Sequence, residues 1–288
     1  MKVLITGANG MVARATAGYC RHIGDEVVAL TRAELDITNR TDVLERLETI
    51  GPDAVINCAA FTDVDGAESF PERSFAANSD GPENLAWGAR ALGARFVTIS
   101  TDYVFDGAKE GFYDQRDTPV PQGVYAKSKL EGENRARDAY ARTVIVRTGW
   151  IYGDGGTNFL SVLHRLLSEG RSIKAIHDSF GTPTFGVDLA MRLRELAQLD
   201  LPAVFHVTNS GDGTSYAGFA EAVCDLGGYD RALLRYASAK SLKRPAPRPS
   251  NSKLRCLFSE RLGLAVMPDW RDALARFLSS SGASQPAT

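Results

Sequence analysis

The 288-residue sequence has few cysteines, and none of them are closely paired. Cys20, Cys58, Cys224 and Cys256 form no CxxC, which excludes a disulfide scaffold and a zinc ribbon. They read as reduced thiols of a cytoplasmic protein. His22, His164, His177 and His206 show no HExxH or other ligand spacing, so no metal site is expected. No GxSxG elbow occurs, which argues against a serine hydrolase. No stretch approaches the roughly 18 apolar residues of a membrane span. The opening run Val3-Leu4-Ile5 is too short for a signal peptide, and none is expected. Neither charge dominates: 33 Lys and Arg stand against 35 Asp and Glu, so nucleic acid is not an expected partner. Hydrophobic residues at 44% and charged residues at 24% exclude disorder. There is no internal repeat and no Gly/Ser linker.

What is present is an alternation of short apolar runs and helical stretches. Strands are expected at residues 2–6, 26–30, 53–57, 95–100 and 143–147. Helices are expected at 11–23, 38–49, 71–92 and 124–141, with Thr38 or Asn39 capping the second. Buried strands separated by helices predict an α/β fold, a Rossmann-type doubly wound parallel sheet. After residue 150 the rhythm loosens. Helices are expected at 158–169, 186–196, 216–226 and 268–278, with strands at 172–176 and 204–207. The stretch 244–249, Arg-Pro-Ala-Pro-Arg-Pro, reads as an extended loop. The expected organisation is a nucleotide-binding domain over 1–150, a smaller C-terminal substrate lobe over 151–278 interleaved with it, and a frayed tail over 279–288.

Gly7-Ala-Asn9-Gly10-Met11-Val12-Ala13 lies between the first strand and the first helix. The glycines allow a tight turn and close approach of backbone to a pyrophosphate, and the helix N-terminus offers free N–H groups. Arg32 stands about 20 residues further on, where an acid would select NAD. A guanidinium there suits a 2′-phosphate, so NADPH is expected, with NADH as the alternative. Asp36 and Ile37 follow in a loop placed to flank the adenine.

Tyr125-Ala-Lys-Ser-Lys129 puts a phenol and an ammonium four residues apart, on one helical face. A positive charge there would lower the tyrosine pKa and ready it for proton transfer to a carbonyl. The fourth strand ends in Ser100-Thr101-Asp102.

These segments resemble the extended short-chain dehydrogenases/reductases, specifically the dTDP-4-dehydrorhamnose reductase family. The resemblance spans nearly the whole chain. It runs through residues 4–10, 57–65, 100–107, 125–133, 147–153, 158–159, 178–184 and 248–254. It implies that Tyr125 is the proton donor, that Lys129 holds the nicotinamide ribose, and that Thr101 orients the substrate carbonyl beside Asp102. Ala59, Ala60, Phe61 and Thr62 match a loop along the cofactor. Trp150 matches a substrate contact, and Asn158 and Arg248 are candidates for the nucleotide-sugar. The basic run at 240–248 would then shape an anionic pocket. Related dehydratases carry Thr-Asp-Glu at the fourth strand, whereas this chain has Thr101-Asp102-Tyr103, so elimination of water is not expected.

The implied reaction is NAD(P)H-dependent reduction of the 4-keto group of dTDP-4-dehydro-L-rhamnose to dTDP-L-rhamnose. The alternatives are another ketone substrate, or a non-catalytic NADP-binding role like that of the regulatory subunit of methionine adenosyltransferase. The chain departs from the family at Ala13 and at Gly149, where the family carries Gly and often Ser. Gly149 is expected to loosen the substrate wall. Some members bind magnesium through a first-helix glutamate, but Ala15 stands near that place and no metal is carried over. A monomer or homodimer is expected.

Overall fold

The computed structural model describes residues 1–280. Five apolar runs of the first half form parallel strands: β1 (Lys2–Thr6), β2 (Glu26–Leu30), β3 (Ala54–Asn57), β4 (Arg95–Thr101) and β5 (Thr143–Thr148). Each is β-branched or apolar nearly throughout, because helices cover both faces. Between them run α1 (Met11–His22), α2 (Arg40–Ile50), α3 (Val64–Ser69), α4 (Pro71–Phe75), α5 (Gly81–Leu92) and α6 (Gly123–Ala139). Asn39 caps α2 by accepting from the Asp42 N–H. The stretch expected as one helix from Pro71 to Leu92 is interrupted by a π turn over Ala76–Asp80. The short helix α3 was not expected from the sequence.

The second half opens with β6 (Ile151–Tyr152), α7 (Phe159–Ser168), β7 (Ile173–Ile176), β8 (Phe180–Gly181) and β9 (Thr184–Phe185). It continues with α8 (Gly186–Leu199), β10 (Val204–His206), β11 (Thr214–Ser215), α9 (Tyr216–Gly227) and β12 (Leu234–Ala237). It ends with α10 (Leu257–Arg261) and α11 (Trp270–Ser280). The helix α11 carries Ser279 and Ser280, which were expected in the tail. Residues 281–288 of that expected tail lie outside the described residues.

The main sheet has six strands in the order β10-β5-β4-β3-β1-β2, all parallel. The order reverses beside β1, which opens the crevice where α/β folds bind ligands. Two elements of the second half return to this sheet. Strand β10 pairs with β5, and α8 packs its Leu189 and Leu193 in one core with Ala13 and Ala17 of α1. A separate core of Tyr152, Phe185, Phe219, Trp270 and Phe277 holds the remaining elements together. Among the described residues no helix is long and apolar enough to cross a membrane.

Candidate active site

The strand ends β1, β3, β4 and β5 converge on a cleft of about 650 Å³. At its nucleotide end, Gly7 turns with φ of +71°, and a Cβ there would lie 2.9 Å from the Ala59 backbone. Only glycine lets these two loops meet. The N-cap of α1 is Gly10, and no side chain satisfies the first-turn N–H groups. They face the cleft with the positive end of the helix dipole. The site thus fits a dinucleotide's pyrophosphate. Asn9, Gly10, Met11, Val12, Ala59, Ala60 and Thr62 line the cleft. Asn57 braces the floor: its amide accepts from Thr6 Oγ1 at 2.7 Å and donates to Thr98 Oγ1 at 3.0 Å.

The other nucleotide candidates are placed differently. Arg32 is exposed and pairs with Asp36 at 3.6 Å, outside the cleft lining. The Asp36 carboxylate also accepts from the Thr38 N–H and hydroxyl. The Ile37 side chain goes to the core, against Gly81, so that side chain is not free to flank an adenine. Phe61 does not line the cleft, but its neighbours Ala60 and Thr62 do.

At the catalytic end, α6 brings Tyr125 and Lys129 under the cleft, and β4 brings Thr101 and Asp102. Tyr125 shares a hydrogen bond with Thr101. Thr101 Oγ1 donates to Asp102 Oδ1 at 3.1 Å and accepts from the Tyr103 N–H at 3.2 Å. Lys129 is buried and its Nζ donates to the Ile99 carbonyl at 2.7 Å. The expected lowering of the Tyr125 pKa by Lys129 is not what the structure gives. Burial pushes the phenol up to about 12, and the Asp102 carboxylate adds to this against the Thr101 hydrogen bond. Burial also pulls Lys129 down to about 8, partly offset by Glu133. Asp102 is raised to about 6 by burial, against hydrogen bonds from Ser252 and Thr101.

Beneath this group lies a buried ion pair. Arg147 donates to both Glu133 oxygens, Nε at 2.9 Å and Nη2 at 2.6 Å, and Ser100 donates to Glu133 at 2.5 Å. These groups tie β4 and β5 to α6.

The far wall is aromatic. Trp150 lies in the left-handed region at φ 51°, a strained place for a bulky residue and a common one at functional sites. Its indole stacks on Tyr216 at 3.9 Å and lies so close to Gly181 that a Cβ there would fall 2.2 Å away. Tyr103 meets Tyr125 edge to face at 6.1 Å. Gly149 does not loosen this wall, as the sequence suggested. The Asp102 carboxylate fills the place of a side chain at 149, 2.3 Å from where its Cβ would be. Asn158 lines the cleft but caps α7, accepting from the Ser161 N–H at 3.1 Å and donating to Ile151 O at 2.8 Å. Arg248 is half-buried and bidentate on Asp65, at 2.9 and 2.7 Å.

With this geometry, comparison with known proteins is decisive. The family model described as RmlD substrate binding domain matches residues 1–282. A Mycobacterium tuberculosis dTDP-4-dehydrorhamnose reductase is 39% identical over 285 residues, 97% of this chain and 93% of that protein. The chain belongs to the dTDP-4-dehydrorhamnose reductase family. A Clostridium acetobutylicum member superposes with a TM-score of 0.93 at 36% identity, covering 98% of this chain and 99% of that one. A Bacillus anthracis member, solved in complex with NADP, gives 0.93 at 32% identity, covering 97% and 99%.

Three residues that build this site were not marked by the sequence. Arg14 donates to the carbonyls of Asn9 and Gly155, tying the glycine loop to the opposite rim of the cleft. Tyr216 enters from α9, 66 residues after its stacking partner Trp150 in the chain. No local pattern marks either residue. Asn78 holds the Phe61 backbone, and its only sequence signal was an asparagine inside an apparent helix.

Proposed function

We propose that this protein is an NAD(P)H-dependent reductase, with NADPH preferred, that converts dTDP-4-dehydro-L-rhamnose to dTDP-L-rhamnose. The observation that carries the reading is the Tyr125 phenol, bonded to Thr101 at the strand ends beside a nucleotide-binding glycine loop. NADPH, when bound, supplies the hydride that goes to the substrate C4. Tyr125 gives its phenolic proton to the C4 oxygen, so a ketone becomes an alcohol. A phenol held near 12 is protonated at neutral pH, which is the form that donates. Thr101 orients the carbonyl oxygen. Lys129, anchored on Ile99 O, presents its remaining N–H groups to the nicotinamide ribose and keeps a positive charge below Tyr125. With Tyr103 in place of a second acid, Asp102 lacks the neighbouring carboxylate with which it would form an acid–base pair for elimination.

Gly7, Asn9, Gly10, Met11, Val12 and the loop 59–62 hold the dinucleotide in this reading. Arg32, outside the cleft lining, takes the 2′-phosphate, with Asp36 beside it, while the Ile37 side chain stays in the core. Trp150 packs on the sugar, while Asn158 and Arg248 stand at the diphosphate end. Residues 1–150 bind the nucleotide and 151–278 form the substrate lobe, apart from β10 and α8. The protein acts in the cytoplasm as a monomer or homodimer, which its four free cysteines suit.

A substrate panel tests the reading. dTDP-4-dehydro-L-rhamnose should drive NADPH oxidation, and a simple ketone without the nucleotide should not. Equal rates on both would replace the sugar nucleotide with another carbonyl. Binding of cofactor with no oxidation on any ketone would favour a regulatory role.

A further inference from the structure

Two segments face each other across the nucleotide end of the cleft. One is the glycine loop with the first turn of α1, from which Asn9, Gly10 and Met11 line the cleft. The other is a strap, residues 153–157, between β6 and α7, from which Gly155, Gly156 and Thr157 line the same cleft. Asn158 fixes the ends of the strap. It is the N-cap of α7, and its Nδ2 reaches back to the Ile151 carbonyl at 2.8 Å. Within the strap the Gly156 N–H donates to the Gly153 carbonyl at 3.1 Å.

Arg14 fastens the middle of the strap to the glycine loop. Its Nη1 donates to the Asn9 carbonyl, and its Nη2 donates to Gly155 O at 3.2 Å and to Asp154 O at 3.4 Å. Gly155 turns at φ +70°, and a Cβ there would overlap the guanidinium, so only glycine lets the strap come this close. Met11 adds a second contact from α1: a Cβ at Gly156 would lie 2.7 Å from its Sδ.

The helix itself gives no reason for a cation at this point. Arg14 is exposed and stands near the N-terminus of α1, where a positive charge opposes the helix dipole. Its contacts do give a reason. A planar guanidinium with five N–H groups can bridge carbonyls of two loops at once, whereas an ammonium is a point charge on a flexible stem.

We infer that Arg14 is a positioning residue that clamps the strap across the nucleotide end of the cleft and so sets how fast the dinucleotide enters and leaves. The inference rests on reading this cleft as a dinucleotide site. A dinucleotide on the glycine loop lies against the strap as well, because both line one cleft. The donors and acceptors of the clamp all belong to the chain. It therefore slows entry and exit alike and leaves affinity nearly unchanged.

Stopped-flow fluorescence of NADPH binding, and of its displacement by excess NADP⁺, gives the two rate constants. Arg14→Ala should raise both by about three- to tenfold, as for loss of one or two exposed hydrogen bonds, with Kd within about twofold of wild type. Arg14→Lys keeps the charge but loses the bridge, so its rates should match those of Arg14→Ala. Because Arg14 is exposed, neither change empties the core. Unchanged rates in Arg14→Ala would overturn the inference while leaving the reductase reading intact. Faster dissociation alone in Arg14→Ala, restored by Arg14→Lys, would make Arg14 a direct partner of the pyrophosphate and also overturn the clamp. Wild-type protein that binds no NADPH would overturn both readings. Wild-type protein that binds NADPH but reduces no sugar nucleotide would sink the reductase reading alone.

Discussion

The Lys129 ammonium donates to the Ile99 carbonyl at 2.7 Å, one helical turn after Tyr125. Lysine is thus anchored on β4, the strand that ends in Thr101, and the tyrosine is set over the same strand end. Burial moves the two groups apart on the pH scale, Tyr125 up to about 12 and Lys129 down to about 8. At neutral pH this leaves a proton on the phenol and a charge on the amine.

The pH profile follows. Lys129 loses its proton as pH rises through about 8, and in the proposed reading a neutral amine would hold the ribose less well. NADPH affinity should fall on the alkaline side with an apparent pKa near 8. Lys129→Arg, which stays charged at all accessible pH, should remove that limb. Calorimetric titration between pH 6.5 and 9.5 checks this, and an unchanged limb in the variant would assign it to another group.

Asp102 is held at about 6 against an ordinary 3.8, so it binds its proton more tightly folded than unfolded. Its contribution to stability is lost as pH rises from 3.8 to about 6. At neutral pH the difference is about 3 kcal/mol. Asp102→Asn should therefore be more stable than wild type at pH 7, with the gain vanishing near pH 4. Urea unfolding of both proteins at the two pH values measures it.

Gly149 and Asp102 occupy one space. Gly149→Ala should push the carboxylate toward the cleft and misplace Thr101, which it accepts from. The expected loss in kcat/KM for the keto-sugar is roughly 10- to 100-fold, with NADPH affinity near wild type. Steady-state kinetics together with cofactor titration separate the two effects.

Glu133→Gln would leave Arg147 buried beside a neutral partner. Breaking a buried pair on one side costs about 3–5 kcal/mol. The variant should unfold at lower denaturant, and β4 and β5 should show faster amide exchange near Ser100. A loss below about 1 kcal/mol would mean that water or another group repairs the site.

Much of this was legible in the sequence because the signals are local. The strand from Glu26 to Leu30 and the cap at Asn39 follow from apolar runs and a short polar side chain. The Gly7–Gly10 turn and the Tyr125–Lys129 spacing are equally local, and both mark the cleft. What was hidden depends on contacts between distant residues. Asp65 meets Arg248 across 183 positions, and Asn78 meets Phe61 through a π turn that helical periodicity cannot show. The Tyr125 pKa was misjudged for the same reason. The spacing places a charge four residues away, but that ammonium is anchored on the Ile99 carbonyl, and burial, which no local pattern shows, raises the phenol.

The most direct test is NADPH oxidation with dTDP-4-dehydro-L-rhamnose by wild-type protein and Tyr125→Phe, alongside NADPH titration of both. The account predicts equal cofactor affinity and a loss of kcat of about 10²–10⁴ in the variant, the usual worth of a general acid. A Tyr125→Phe enzyme retaining more than about a tenth of wild-type kcat would contradict it.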